Sequence, residues 1–326
     1  MESKFEDLTN PYQHELLVHC YRMLGSRLDA EDALQETLLK AWRKWDTLHS
    51  QSSLRAWLYR IATNVSLDMI AARKRSFAVP FSGSPADPLA PLPAPTEEVD
   101  WLEPLPDEAL DAHVPGPAAR YETQESVNLA FLALLQKLPG RQRAVLVLRD
   151  VLGWKADETA ELLELSTAAV NSSLQRARTA FTQSPPDWSN TLRSPAPGDQ
   201  AASLLARYQQ AWEAADAVNL ASLLTADARL SMPPLPVWFN GREAIITFYR
   251  EQLFNGHAAG YFHLLPAHAN GCPAFAIYED KKRSGLVPSG LQVLAVTANG
   301  IARIDSFIKT DPGFYNSFGL PSCLTD

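Results

Sequence analysis

The sequence predicts an all-α first half joined to a C-terminal α+β domain, and three observations predict it. Apolar residues recur at helical spacing as far as residue 181. From Ala228 onward they alternate with polar residues at strand period, with amphipathic helices interspersed. Between the patterns lie two proline-rich stretches, residues 76–120 and 184–198, which exclude long helices and central strands. Mainly antiparallel strands with helices packed on one face make the last domain α+β.

The 326 residues suffice for two or three domains, and a hydrophobic content of 46% lets each bury a core. No apolar run approaches membrane-spanning length, and MESKFEDLTNPY lacks a signal-peptide profile, so the protein is expected in the cytosol. The cysteines, Cys20, Cys272 and Cys323, are far apart and predict free thiols, with neither a disulfide framework nor a zinc site. A net charge of −8 excludes strong non-specific binding to DNA by the whole chain. The charge is uneven, however. Arg55, Arg60, Arg73, Lys74 and Arg75 cluster, whereas Glu97, Glu98, Asp100, Glu103, Asp107, Glu108 and Asp111 form a tract without a cation.

In order, Tyr12–Leu24 reads as a first helix ended near Gly25. Asp29 is the expected N-cap of the next, with Asp32 three residues on. Along that helix Ala30, Ala33, Leu34, Leu38, Ala41, Trp42 and Trp45 are the expected buried face. Glu31, Asp32, Gln35, Glu36 and Lys40 are the outer one. A polar break at 46–53 precedes a long helix from Leu54 to Arg75, with Trp57, Leu58, Ile61, Ala62, Val65 and Met69 inward. Aromatics beside cations on a helix suit single-stranded nucleic acid, although Trp57 reads better as a core residue. In the acidic linker, Val99-Asp100-Trp101-Leu102-Glu103-Pro104 mixes apolar and acidic residues. It is expected either to dock on a neighbouring surface or to mimic the charge of DNA.

Helices return at Ser126–Leu138 and Gly140–Leu152. Residues 155–181 then read as a helix-turn-helix. Ala160 lies inside the first helix, the turn is Glu164-Leu165-Ser166, and Ser166 or Thr167 caps the second. Val170, Leu174, Ala177 and Phe181 form its apolar stripe. The opposite side shows Ala168, Asn171, Ser172, Gln175, Arg176 and Arg178, small polar groups first and cations later, as base reading and phosphate contact require. Glu164 stands where the turn often holds Gly; a left-handed Glu costs on the order of 1 kcal/mol. Beyond 198, helices at 199–215, 218–224 and 241–254 accompany strands at 228–232, 260–265, 272–279, 290–297 and 301–309. The last two join through an Ala298-Asn299-Gly300 hairpin.

These residues together resemble a known family. Tyr21-Arg22-Met23-Leu24-Gly25, Asp29 through Thr37, Ala41-Trp42-Arg43 and Ala56 through Asn64 resemble region 2 of extracytoplasmic-function (ECF) RNA polymerase sigma factors. Leu138-Pro139, Gln142-Arg143, Val170 and Arg176-Ala177-Arg178 resemble region 4. Trp101-Leu102-Glu103-Pro104-Leu105-Pro106-Asp107 is similar to the linker of the subgroup with an extra C-terminal domain. Met232-Pro233-Pro234, Trp238 and Gly241-Arg242 resemble that domain, a SnoaL-like, NTF2-like cone. The implied organisation is region 2 at 1–78, a linker at 79–119, region 4 at 120–183, a linker at 184–198 and the SnoaL-like domain at 199–326.

The resemblance implies roles. Asp32, Gln35 and Glu36 would meet the clamp of core RNA polymerase, and the implied partner surface includes the clamp and flap regions. His49, Arg55, Arg60, Thr63, Asn64, Arg73 and Lys74 would capture the −10 element of promoter DNA. Ala168, Asn171, Ser172, Gln175, Arg176 and Arg178 would read the −35 element. No catalytic group, metal or cofactor is expected. The last domain is expected to regulate, with Trp212, Trp238 and His263 as a pocket for a small ligand. SnoaL-like enzymes use an acid and a histidine, for which Asp227, Asp305, His257 and His263 are the residues at hand. Two other readings stay open: a helix-turn-helix regulator that never binds polymerase, and a SnoaL-type enzyme fused to a transcription module.

Overall fold

The computed structural model describes residues 2–48, 53–73, 76–78, 81, 83–96, 99–111, 127–182, 198–257, 259–281 and 285–324. His49 and Lys74 lie outside them. The chain divides into two compact units: residues 1–79 with 98–188, and residues 80–97 with 189–326. The proline-rich tract is thus shared between the two.

In the first unit, α1 (Glu2–Leu24), α2 (Arg27–Arg43) and α3 (Leu54–Ala72) pack together. Helix α1 starts ten residues before the expected Tyr12 and runs through Pro11. It ends at Gly25, whose φ of +74° suits glycine, and a Cβ there would fall 2.9 Å from the Gln136 and Leu102 side chains. Ser26, not Asp29, caps α2, its hydroxyl accepting from the Asp29 N–H; Gly25 ends one helix so abruptly that the next begins at once. Trp42 is 49% exposed rather than buried, as is Leu39 at 40%. Trp57 is half-buried and stands edge-on to Trp45.

The acidic tract docks on the α1–α2 junction. Leu102 and Leu105 are buried, the Glu103 N–H donates to the Gly25 carbonyl, and Tyr21 donates to the Glu103 carbonyl at 2.6 Å. Ser26 donates to the Glu103 carboxylate at 2.8 Å. A two-residue parallel pair, β1 (Ser76–Phe77) with β2 (Val99–Asp100), and the turn α4 (Glu108–Asp111) complete the seam.

Helices α5 (Leu129–Gln136), α6 (Gly140–Leu146, extended by a π-turn to Val151), α7 (Ala156–Leu163) and α8 (Thr167–Thr182) follow. Asn128 caps α5. The buried Arg143 guanidinium on α6 donates to the Met23 carbonyl at the end of α1, to the Gln136 side chain and carbonyl, and to the Leu138 carbonyl. Burial pushes it down to about 9.

In the second unit, six strands form one sheet in the order β4-β3-β8-β7-β6-β5. They are β3 (Leu224–Ser231), β4 (Trp238–Asn240), β5 (Phe262–Ala269), β6 (Cys272–Asp280), β7 (Leu286–Thr297) and β8 (Gly300–Phe307). Among the described residues of this sheet, β3 and β8 pair in parallel and the other neighbours antiparallel. Helices α9 (Asp199–Glu213), α10 (Ala217–Leu223) and α11 (Arg242–Phe248, with a π-turn to Leu253) join the sheet in one apolar core. The expected hairpin is present. Gly300 sits at φ +129° with the Leu223 carbonyl 2.7 Å from where a Cβ would be. The three-residue edge strand β4 was not expected. Helix α12 (Pro312–Asn316) follows the sheet.

Residues 80–97 belong to this unit as a strap. The Ala86 N–H donates to the Trp238 carbonyl at 2.8 Å and the Thr96 N–H to the Pro234 carbonyl at 3.2 Å. Gln252 donates to the Pro88 and Ala90 carbonyls. Phe81 meets Trp238 edge-on at 5.6 Å. No helix among the described residues is long and apolar enough to cross a membrane, and Cys20, Cys272 and Cys323 form no disulfide.

Candidate nucleic-acid interface

The helix-turn-helix forms as its sequence directs. Glu164 is left-handed, φ +55°, and the Leu165 N–H closes α7 on the Ala160 carbonyl. Of the two expected caps it is Ser166 whose hydroxyl accepts from the Ala169 N–H, at 3.1 Å. Val170, Leu174 and Ala177 are buried, and Phe181 packs on Phe131. That packing turns the other face outward: Ala168, Asn171, Ser172, Gln175, Arg176 and Arg178 are all exposed. Arg149, Asn171, Leu174, Gln175, Arg178 and Thr179 line a concavity of about 430 Å³ beside α8.

The α3 residues fare differently. Asn64 is exposed and Arg60 half-buried on the outer side. Arg55 is held by Glu15 through Nε and Nη2 and lies 5.0 Å over the Tyr59 ring. Thr63 is a correction to the expected −10 set. It is fully buried, donates to the Tyr59 carbonyl and accepts from His19 Nε2, because its helical position faces α1. Arg73 contacts Asp29 at 2.5 Å and Asp100 at 3.1 Å and lies over Phe77. Burial is the main influence on Asp29 and raises its carboxyl above the usual range, against the pull of Arg73.

On α2, Leu28, Asp32, Gln35, Leu39 and Trp42 recur every three or four residues and are all exposed, with Glu36 half-exposed beside them. The acids of this stripe are where the sequence predicts them, whereas Trp42 is outside and not in the core, since helical spacing alone does not separate a core stripe from an exposed one.

The expected ligand trio does not assemble. Trp212 is 1% exposed, enclosed edge-on by Tyr249, Phe254 and Phe262. Phe262 and Leu264 enter that core, so His263 between them points to the opposite face of the sheet. Trp238 carries the strap. Of the acids, Asp305 is buried against Arg303 at 2.7 Å and accepts from Ser231. His257 stacks on Tyr261. Among the described residues no cluster of histidine, cysteine and acids has a metal-site arrangement.

Residues 8–76 match sigma-70 region 2, and residues 128–181 match sigma-70 region 4. The chain is 44% identical over 323 residues to the ECF RNA polymerase sigma factor SigG of Mycobacterium tuberculosis, covering 98% of this chain and 85% of that protein. It is 27% identical over 181 residues to SigW of Bacillus subtilis, covering 55% of this chain and 88% of the relative. The crystal structure of the M. tuberculosis ECF sigma factor SigJ matches 98% of this chain and all of its own at a TM-score of 0.61 and 21% identity, a likeness of fold. With both helical regions matched in order and one relative matched almost end to end, the chain belongs to the ECF RNA polymerase sigma factors.

Proposed function

We propose that the chain docks on core polymerase through the α2 stripe, reads the −10 element with α3 and the −35 element with α8, and is restrained by its C-terminal domain. The exposed Asp32, Gln35 and Glu36, flanked by Leu28, Leu39 and Trp42, suit a partner that covers an apolar stripe rimmed with charge. Arg60 and Asn64 on α3, with Arg55 beside them, suit an unstacked strand. The outer face of α8 suits a major groove. The protein would act where polymerase acts, in the bacterial cytoplasm.

The observation that carries the regulatory part is the strap. Residues 80–97 leave α3's module and return to α5's, yet they are built into the second unit. A tether held this way is shorter than a free one, and two promoter boxes must be spanned by what remains. The aromatic packing around Trp212 supports regulation over catalysis, because rings fill the space a substrate would need. The test is run-off transcription with core polymerase, comparing the full chain with a truncation after residue 184. The expected result is higher activity, or a changed spacing preference, in the truncated form. Identical activity on every promoter removes the restraint.

A further inference from the structure

Arg178 on α8 is held in a two-point contact by a residue outside the helix-turn-helix. Its Nε donates to Asp150 Oδ2 at 2.8 Å and its Nη2 to Asp150 Oδ1 at 2.7 Å. Asp150 sits in the π-turn after α6, which places its carboxylate beside the outer half of α8. The Arg178 side chain remains 61% exposed and lines the concavity with Asn171 and Gln175, two and one helical turns before it. We propose that Asp150 is a positioning residue that commits Arg178 to a guanine in the −35 box rather than to a phosphate. This rests on the reading of α8 as the −35 helix.

The chemistry decides between the two targets. A guanidinium carries five N–H donors in a fixed plane. Asp150 takes the Nε edge and one hydrogen of Nη2, which leaves the far end with parallel donors. That end matches the O6 and N7 acceptors of guanine, and equally two oxygens of a phosphate. Charge separates them. The Asp150–Arg178 pair is neutral overall, so it offers little to an anion, and its carboxylate repels a phosphate brought close. A guanine edge is neutral and needs directed donors, not net charge. The pair also fixes a long side chain in one orientation before DNA arrives, which lowers the entropy lost on binding.

Arg149, on the same wall, provides the contrast. Its Nη1 donates to the Trp154 carbonyl, and among the described residues it has no carboxylate partner. Its charge is therefore whole, and it is the phosphate contact of this groove.

The test uses holoenzyme reconstituted from core polymerase and the full chain, selected on a promoter library randomised across the −35 box. The wild type is expected to prefer guanine at one position. Asp150→Asn and Arg178→Lys should each flatten that preference by about tenfold and leave the other positions unchanged. Replacing that guanine by 7-deazaguanine, which lacks N7, should weaken the wild type and not Asp150→Asn. Arg149→Gln should instead weaken every sequence alike and lower the salt slope by about one. Thermal melts confirm that each variant folds, as expected for an exposed pair. A guanine preference that survives Asp150→Asn, or a loss spread evenly over all sequences, overturns the assignment while leaving the −35 reading intact. A wild-type selection with no preferred base anywhere in the box overturns both.

Discussion

Arg60 on α3 donates through Nη2 to the backbone carbonyl of Glu161 on α7, 3.1 Å away, and lies 3.5 Å from that residue's carboxylate. A residue proposed for the −10 element is thereby engaged by the first helix of the helix-turn-helix. The two modules also share the buried Arg143 and the tilted ring contact of Tyr59 with Trp154 at 5.4 Å. On the proposed reading, in which α3 and α8 take two separate promoter boxes, this packing is expected to open on the promoter.

Glu161→Lys should favour opening. The exposed pair is worth at most about 1 kcal/mol, so the expected gain is roughly two- to fivefold in affinity of the full chain for a single-stranded −10 oligonucleotide. Fluorescence anisotropy at fixed salt measures it, and an unchanged or weaker affinity counts against occlusion of Arg60.

Charge reversal of Asp32 and Glu36 together should lower association with core polymerase by tenfold or more without moving the melting temperature. Both residues lie on the open face of α2, outside the core. Surface plasmon resonance with immobilised core enzyme reads the first quantity and a thermal melt the second.

His19 gives the fold an acid limit. Burial, with Arg22 nearby, pushes its imidazole down to about 3. Thr63 spends its hydroxyl hydrogen on the Tyr59 carbonyl, so His19 must donate from Nε2, and its Nδ1 is the unprotonated nitrogen, without a partner. The unfolded chain binds a proton near pH 6.5 that the folded one refuses until about 3. Stability is therefore whole above pH 6.5 and falls as pH drops from there toward 3, by up to about 4–5 kcal/mol from this group. Urea denaturation between pH 7 and 4.5 should show a steeper loss for the wild type than for His19→Gln; parallel curves would remove His19 from the explanation.

Glu164→Gly should stabilise the first unit by about 1 kcal/mol, because the left-handed turn costs glycine nothing sterically. A rise of a few degrees in the melting temperature is the expected readout.

Gln252→Ala removes both side-chain donors that hold the strap at Pro88 and Ala90. The expected cost is about 1–2 kcal/mol, seen as faster hydrogen exchange at the amides of Ala86 and Thr96 with the sheet amides unchanged. Equal protection in both proteins would show that Gln252 does not hold the strap.

The legible parts of this fold were the locally determined ones. Ser166, Gly300 and the stripe through Val170 and Leu174 act through neighbours a few residues away, so their spacing carried the information. Trp42, Thr63 and His263 were misread for one reason: which side of a helix or strand meets a partner depends on elements distant in sequence. The strap escaped altogether, since an extended proline-rich segment has no periodicity and its anchors, Trp238 and Gln252, lie some 150 residues further on. The Asp150–Arg178 pair, 28 residues apart, was hidden in the same way.

The division of the second unit between residues 80–97 and 189–326 has a consequence for the newborn chain. Ribosomes add about 5–20 residues per second, so the strap waits of order 10–45 s for the surface that receives it. The helix-turn-helix emerges during that interval, after α1–α3, with the tether between them unclaimed. If the C-terminal domain restrains the chain as proposed, each act of synthesis opens a brief period of licence, and a burst of translation delivers promoter recognition ahead of its brake.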